Sequence, residues 1–414
     1  MKKHKNTYQW LWKWHFIGGI IALPFIIILA VTGIIYLFKD AYEKPIYKDV
    51  KEVSIGNERV SYDRQWELAK ESAVAPPHTM LLPQTNNEAT EFVSGRFARE
   101  SSIYIDPYKN LVTNEIISSE TDMFQVRKLH GELLTGKFGT KIVELVASWM
   151  VVLLLSGLYL FWPRNNGGGI KSFFRIRRNG NKRIFYRDLH AVMGFWSSLL
   201  ILLILAGGLP WTDIFGNNFA WLQKKTNAGY PKEWNGQFFE STPIGVPLSL
   251  DDMAEIANKE NLTGEVGITL PQNPTAVFSV SNTTPDLSHR KMIHFDQYSG
   301  KMVKELSWKD VGPMIQGRMW VMEFHQGHFG WWNWLLVLFT AIGILVLSIA
   351  ALISYIKRKK RGSWSIPRTS KDLKVGKGVI ISIILLGIIL PLFGLSIIVI
   401  SLWEWMSTSY NKSK

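Results

Sequence analysis

Five separate stretches of this chain are each long and apolar enough to cross a lipid bilayer: roughly Trp14 to Phe38, Ile142 to Trp162, Leu189 to Trp211, Trp331 to Ile356 and Val379 to Trp403. A hydrocarbon core about 30 Å thick needs about 20 apolar residues to span it. No water in that core can satisfy a backbone N–H or C=O, so each run is expected to be a helix. Composition fits, with 47% hydrophobic residues beside 19% charged ones, so that the apolar residues are segregated rather than spread. The first run is basic and then apolar, as a signal peptide is, but it exceeds the roughly 7–15 residues of such a segment and has no small-residue cleavage site. It is expected to stay as an anchor.

Positive residues near the ends of spans remain on the cytoplasmic side, which orients the chain. Lys2, Lys3, Lys5 and Lys13 precede the first run, "PRNNGGGIKSFFRIRRNGNKRIFYR" carries eight Lys/Arg and no acid, and "KRKKRGSWSIPRTSKDLKVGK" carries nine against Asp372 alone. These segments more than account for the net charge of +14. The charge therefore reads as topology and attraction to anionic lipid, not as nucleic-acid binding. The expected order is residues 1–38 (cytoplasmic N-terminus and first span), 39–137 (first outer domain), 138–163 (second span), 164–187 (basic loop), 188–211 (third span), 212–330 (second outer domain), 331–356 (fourth span), 357–377 (basic loop), 378–403 (fifth span) and 404–414 (tail outside). Each outer segment offers a helix-like stretch ("SYDRQWELAKESA", "SLDDMAEIANKEN") followed by β-branched, turn-punctuated sequence, the pattern of an α+β module. In "DPYKN" and "DQYSG" an aspartate that can bond the following backbone precedes a residue tolerant of positive φ, which marks a strand turn.

The two halves repeat. His15 is followed by Gly19 and Gly33 at +4 and +18, and His190 by Gly194 and Gly208 at the same spacings. "LHGELLTGKFG" and "FHQGHFG" then each place a histidine before Gly-x-Phe-Gly and an apolar run; the fifth run has no counterpart. Combined with the topology, His15 and His190 stand at the cytoplasmic ends of outward-running helices, and His130 and His325 just beyond the outer ends of inward-running ones. Two histidine pairs result, one per membrane face.

One such histidine alone is what an interfacial side chain looks like, whereas four matched by repeat, face and glycine spacing point to a ligand set. Imidazole suits iron, and a haem iron can be held axially by histidine. With no cysteine in the chain, covalent haem attachment and iron–sulfur clusters are excluded, which leaves non-covalent haem b, two per chain. Gly19 and Gly194, one turn beyond His15 and His190, would leave room for a flat macrocycle. Arg127, Arg187 and Arg318, with Lys128 and Arg183, are candidate partners for haem propionates. His328, three residues after His325, is an alternative outer ligand. His78, His289 and His294 lack metal-ligand spacing. Trp211, Trp331, Trp332, Trp334, Trp403 and Trp405 fit an interfacial aromatic belt. Gly167 to Gly169 is a loop without the context of a phosphate cradle.

"WHFIGG", "RDLHAVMGFW", "LHGELLTGKFG", "FHQGHFG" and the two Asp-x-Tyr turns resemble the PepSY-associated transmembrane family, over nearly the whole chain from Trp14 to about Arg361. The resemblance implies paired extracytoplasmic PepSY-like domains on a haem-bearing helical module in the cytoplasmic membrane, with His15, His130, His190 and His325 at the family's motif histidines. It also implies reduction of a ferric siderophore or other ferric chelate on the outer side. The expected function is therefore a membrane ferric-siderophore reductase that carries electrons outward. No Rossmann, flavin or ferredoxin motif supplies a donor inside the chain, so a quinol or a cytosolic flavoprotein is required. The rival from another class is a non-redox protein whose outer domains regulate a peptidase or sense a ligand.

Overall fold

The computed structural model describes residues 2–95, 100–163, 169–178, 181–360, 363–367 and 375–412. Gly167, Gly168 and Asp372, with parts of both basic loops, lie outside the described residues. In chain order the helices are α1 (Lys2–Leu37), α2 (Lys39–Ile46), α3 (Lys48–Lys51), α4 (Tyr62–Ser72), α5 (Asp122–Glu132), α6 (Lys137–Phe161), α7 (Lys182–Gly208), α8 (Ile214–Lys225), α9 (Leu250–Lys259), α10 (Pro313–Gln326), α11 (Trp331–Arg358), α12 (Lys377–Ile389) and α13 (Pro391–Lys412). The strands are β1 (Thr79–Leu81), β2 (Thr90–Val93), β3 (Ser101–Asp106), β4 (Leu111–Ile117), β5 (Glu265–Thr269), β6 (Val277–Thr283), β7 (Lys291–Asp296) and β8 (Met302–Ser307). The chain divides into a helical unit (Met1–Leu37, Val126–Trp221, Val321–Lys414) and a sheet unit (Phe38–Gln125, Leu222–Trp320).

In the helical unit, α1, α6, α7 and α11 hold the four segments long and apolar enough to span a membrane. They pack in a ring, each against its two neighbours: α1 on α6, α6 on α7, α7 on α11 and α11 on α1. With lipid outside, the hydrophobic effect gives helices little reason to associate, and close packing by small residues takes over. Ala22 and Ala30 of α1 are buried with Ile26, Val146, Ile201 and Ile344. Three hydroxyls inside the ring return their protons to their own helix: Thr32 donates to the Ile28 carbonyl (2.7 Å), Ser198 to Phe195 (2.8 Å) and Thr340 to Leu336 (2.6 Å).

The fifth apolar run is not a fifth crossing. It breaks at Leu390–Pro391 into two short apolar helices, Lys377–Ile389 and Pro391–Trp403. Leu390 leaves the helical region (φ −115°, ψ 83°), as residues before proline do. In one continuous helix Gly387 and Gly394 would be about 10 Å apart, but here a methyl on Gly394 would lie 2.5 Å from the Gly387 carbonyl oxygen. The two helices thus fold back on each other. The hairpin starts beside Thr7 of α1, and its tip lies against α6, where Phe393 meets Trp149 edge-on at 5.2 Å and Trp149 Nε1 donates to Ser396 Oγ at 3.2 Å. Both hairpin arms therefore lie toward the side from which α1 starts, which corrects the expected C-terminus on the opposite side.

In the sheet unit the two expected α+β modules share one antiparallel sheet of eight strands in the order β4-β3-β2-β1-β5-β6-β7-β8. The seam is β1 against β5, with Met80 opposite Ile268 and the hydroxyls of Thr79 and Thr269 2.8 Å apart. Alternation sends Met80, Phe92, Ile103, Ile105, Ile268, Phe278, Val280, Ile293 and Phe295 to a single face, where Ala69 of α4 and Leu250, Met253, Ala254 and Ala257 of α9 cover them. The helix N-termini cap one another. Asp63 accepts from the Leu250 N–H (3.0 Å), and Asp251 accepts from the Tyr62 and Asp63 N–H groups (2.9 and 3.3 Å). The two Asp-x-Tyr turns match. Asp106 accepts from Tyr108 N–H (2.9 Å) and Asp296 from Tyr298 and Ser299 N–H (3.0 and 2.7 Å). Although burial pushes the other way, the Ser299, Thr242 and Tyr298 N–H bonds hold the Asp296 carboxyl down to about 2. Its contribution to stability is present above its ordinary value of 3.8 and is lost as pH falls from there through about 2.

Because Asp251 caps the partner helix rather than its own, Asp251→Ala should loosen α4 from α9 and cost about 1–2 kcal/mol. Thermal or denaturant unfolding of the full chain in detergent, followed by tryptophan fluorescence, checks this, with Asp251→Asn expected to recover most of the loss.

Candidate functional site

Within the helical unit the four motif histidines meet in two pairs. His15 of α1 faces His190 of α7 with ring centroids 6.2 Å apart and ring planes at 77°. His130 of α5 faces His325 of α10 with centroids 6.2 Å apart and planes at 74°. Every pair takes one histidine from each repeat. Along α1, seventeen residues separate His15 from Thr32, which contacts His130. That spacing puts the pairs about 26 Å apart, with the apolar cluster of Ala22, Ile26, Val146, Ile201 and Ile344 among the residues between them.

Each ring is tethered through Nδ1 by a residue of its own repeat. His15 bonds Ser156 Oγ on α6 (3.0 Å) and His130 bonds Thr32 Oγ1 on α1 (3.0 Å). His190 bonds the Leu347 carbonyl on α11 (3.0 Å) and His325 the Ile204 carbonyl on α7 (2.8 Å). A carbonyl only accepts, so His190 and His325 carry their proton on Nδ1. Ser156 donates its own proton to the Leu153 carbonyl (3.2 Å) and Thr32 to that of Ile28 (2.7 Å), so both hydroxyls accept from the imidazoles. All four rings are thereby set with Nδ1–H tied and the Nε2 lone pair bare. Among the described residues no hydrogen-bond partner is recorded for any of these Nε2 atoms. Burial, reinforced by the facing His325, lowers the His130 imidazole to about 4, and burial lowers His325 as well, so the outer pair is neutral at ordinary pH.

Glycines seat the rings. A methyl on Gly157 would lie 3.2 Å from Cε1 of His15, one on Gly33 3.4 Å from Cε1 of His130, and one on Gly208 3.6 Å from Cε1 of His325. The repeated glycine eighteen residues after each inner histidine is thus the seat of the outer histidine of the same repeat. Gly19 leaves the surface one turn beyond His15 open, with only Leu153 at 3.9 Å from a methyl placed there. Gly194 instead lets α7 close on α11, since a methyl would meet Leu347 at 3.2 Å.

The remaining candidates divide. His328 is held by Glu323 (Nδ1 to Oε2, 2.8 Å) and has no ring contact with His130 among the described residues. Arg187 is committed to the buried Asp188 (2.8 Å), which Arg177 also grips through Nε and an Nη atom (2.7 and 2.9 Å). Lys128 pairs with Glu132 at 2.7 Å. Arg127 stands one turn before His130 on α5. Arg318 belongs to the sheet unit, half-buried near Tyr230. Of the other histidines, His294 is fully buried and bonds Ser279 and the Glu233 carbonyl, His289 pairs with Asp286 on the surface, and His78 bonds the Gly95 carbonyl. Trp211, Trp331, Trp332 and Trp403 are exposed as a belt requires, whereas Trp334 donates to the Leu37 carbonyl at the end of α1 (2.9 Å). The tethers Ser156 and Thr32 carry no motif signal, since a single hydroxyl in an apolar helix is common; only the fold brings them to the histidines.

The family model for the PepSY-associated TM region matches residues 12–358. The chain belongs to the PepSY-associated transmembrane family. Among curated proteins, none matches it. The matched span begins just before His15 and ends at Arg358, so all four paired histidines fall within it.

Two facing imidazoles with bare Nε2 atoms are suited to hold one metal ion between them. An imidazole nitrogen binds a first-row metal at about 2.0–2.1 Å and lies about 1.1 Å from its ring centre, which places two opposed centroids about 6 Å apart. Among the described residues no group of three or more His, Cys, Asp or Glu could hold a metal ion, so the remaining ligands at each pair would have to come with the metal. An iron macrocycle fits that donor set. Thr32→Val should then lower the outer site's affinity by roughly 10–100-fold and leave the inner site filled, as read by haem content per chain and by the reduced α-band spectrum.

Proposed function

We propose that this chain is a transmembrane electron carrier of the cytoplasmic membrane that binds two haems b and reduces a ferric siderophore on the outer side. His15 and His190 would hold the inner group and His130 and His325 the outer one. When bound, the group supplies one-electron redox chemistry. The observation that carries the reading is the recurrence of one geometry, two opposed imidazoles with Nδ1–H tethered and Nε2 bare, at both ends of the same four-helix ring.

The chain's own residues explain what such a carrier needs. The tethers keep each imidazole aimed with its proton on Nδ1, which raises its basicity as a ligand. The interior between the pairs is close-packed aliphatic side chain, and its hydroxyls at Thr32, Ser198 and Thr340 are satisfied within their own helices. That interior opposes ions and protons while electrons can pass between the two sites. The basic loops place the N-terminus and the inner pair on the cytoplasmic side by the positive-inside rule. A quinol or a cytosolic flavoprotein would donate. The acceptor is a ferric chelate: one electron converts its iron from ferric to ferrous, and hard oxygen donors hold the ferrous ion weakly, so reduction releases it.

The test is direct. Purified protein is reduced with dithionite in detergent, excess reductant is removed, and ferric siderophores are added without oxygen. Haem reoxidation matched by ferrous iron on a chelating dye is the expected result. Haem that stays reduced before hydroxamate and catecholate ferric chelates alike would remove siderophore reduction from the account.

A further inference from the structure

Arg358 closes α11 at the end of the ring nearer the inner histidine pair. Its guanidinium lies 4.5 Å over the Phe16 ring and 5.5 Å over the Trp12 ring. Phe16 is the neighbour of His15 and also packs against Tyr355 at 5.4 Å. Among the described residues Arg358 has no carboxylate partner. The charge acting on it most directly is a second guanidinium, that of Arg183. The helices bearing the two arginines touch here, with Ser354 Oγ donating to the Arg183 carbonyl at 3.5 Å.

Helical spacing relates both arginines to the inner site. Arg183 precedes His190 by seven residues, two turns along the same face of α7. Arg358 follows Leu347, whose carbonyl tethers His190, by eleven residues, three turns along the same face of α11. Two cations thus stand below the inner pair on one side of the bundle, one clamped between rings, and they repel each other. Guanidinium is matched in shape and charge to carboxylate. Arg187, one turn beyond Arg183 on α7, is already spent on Asp188.

We propose that Arg358, with Arg183, forms the anion site that receives the carboxylates of the macrocycle held by His15 and His190; this rests on the haem reading above. The aromatic clamp of Trp12 and Phe16 fixes the Arg358 guanidinium in position, so little side-chain freedom is lost on binding. Filling the site with two carboxylates relieves the repulsion between the arginines.

The test uses the full chain carrying His130→Ala, which leaves the inner haem alone, purified in neutral detergent without lipid. Replacing both arginines (Arg183→Gln with Arg358→Gln) should keep the low-spin spectrum, because the axial histidines are untouched. At a fixed ambient potential the ratio of reduced to oxidised haem should fall by about threefold or more, since the charge around a haem sets its potential. Transfer of haem to apomyoglobin should quicken by about threefold or more, because a partner of the bound group is lost. The paired Lys replacements, which keep charge but lose the fork, should restore the ratio and not the retention. An unchanged ratio together with an unchanged transfer rate in the Gln variant would overturn the proposal. So would changes that appear only after phosphatidylglycerol is added, because the arginines would then hold lipid phosphate. Absence of haem from the His130→Ala protein itself, and from the unaltered chain, would instead overturn the haem reading before the arginines are tested.

Discussion

The Nδ1–H tether on each histidine is the interaction on which the rest depends. An imidazole in an apolar bundle has two nitrogens to satisfy, and burying a polar nitrogen without a partner costs free energy. Here one nitrogen is satisfied by a hydroxyl or a main-chain carbonyl of the same repeat. The other has no hydrogen-bond partner among the described residues, and each ring lies against the histidine of the opposite repeat. That division of labour gives the duplication its structural sense. Each repeat builds its own anchors, and neither repeat completes a pair alone. Gly33, Gly157 and Gly208 belong to the same device, since a methyl at Gly157 would crowd the His15 ring and one at Gly33 or Gly208 would already reach contact with its ring.

The bilayer adds a second constraint. Electrons can pass through packed hydrocarbon where ions cannot, so a carrier of the kind proposed would need its groups near both faces and a tight apolar interior between them. The cluster around Ala22, Ile26, Val146 and Ile344 supplies the packing, and Thr32, Ser198 and Thr340 bond their hydroxyls to carbonyls of their own helices. In the sheet unit the same duplication is solved differently. The two modules merge their edges at β1 and β5 into one sheet, which removes two exposed strand edges, and α4 and α9 exchange caps through Asp63 and Asp251.

Much of this was legible in the sequence because it is periodic. Run length and charge asymmetry marked four spans, and the spacing of His15, Gly33, His190 and Gly208 exposed the repeat. The fifth run misled because length counts apolar residues and not backbone breaks; Pro391, with Gly387 and Gly394 close enough to touch, turned a span into a hairpin. The seam between β1 and β5 was also hidden, since a three-residue strand such as Thr79–Leu81 gives no alternation to read. Within the site, the histidines announced themselves by motif, but Ser156 and Thr32 did not, because their role exists only across helix contacts. Arg187 looked available in the sequence and is engaged by Asp188, whereas Arg358 looked like one more positive-inside residue and has no carboxylate partner among the described residues.

The central claim is that each histidine pair holds one haem between two imidazoles whose planes are nearly perpendicular, at 77° and 74°. Low-temperature electron paramagnetic resonance of the oxidised, purified protein tests it most directly, because that angle controls the anisotropy of a low-spin ferric haem. The account predicts two low-spin haems per chain, both with the highly anisotropic low-field signal of crossed imidazole planes. A high-spin ferric signal, the rhombic signal of parallel planes at either site, or protein purified without haem would contradict it.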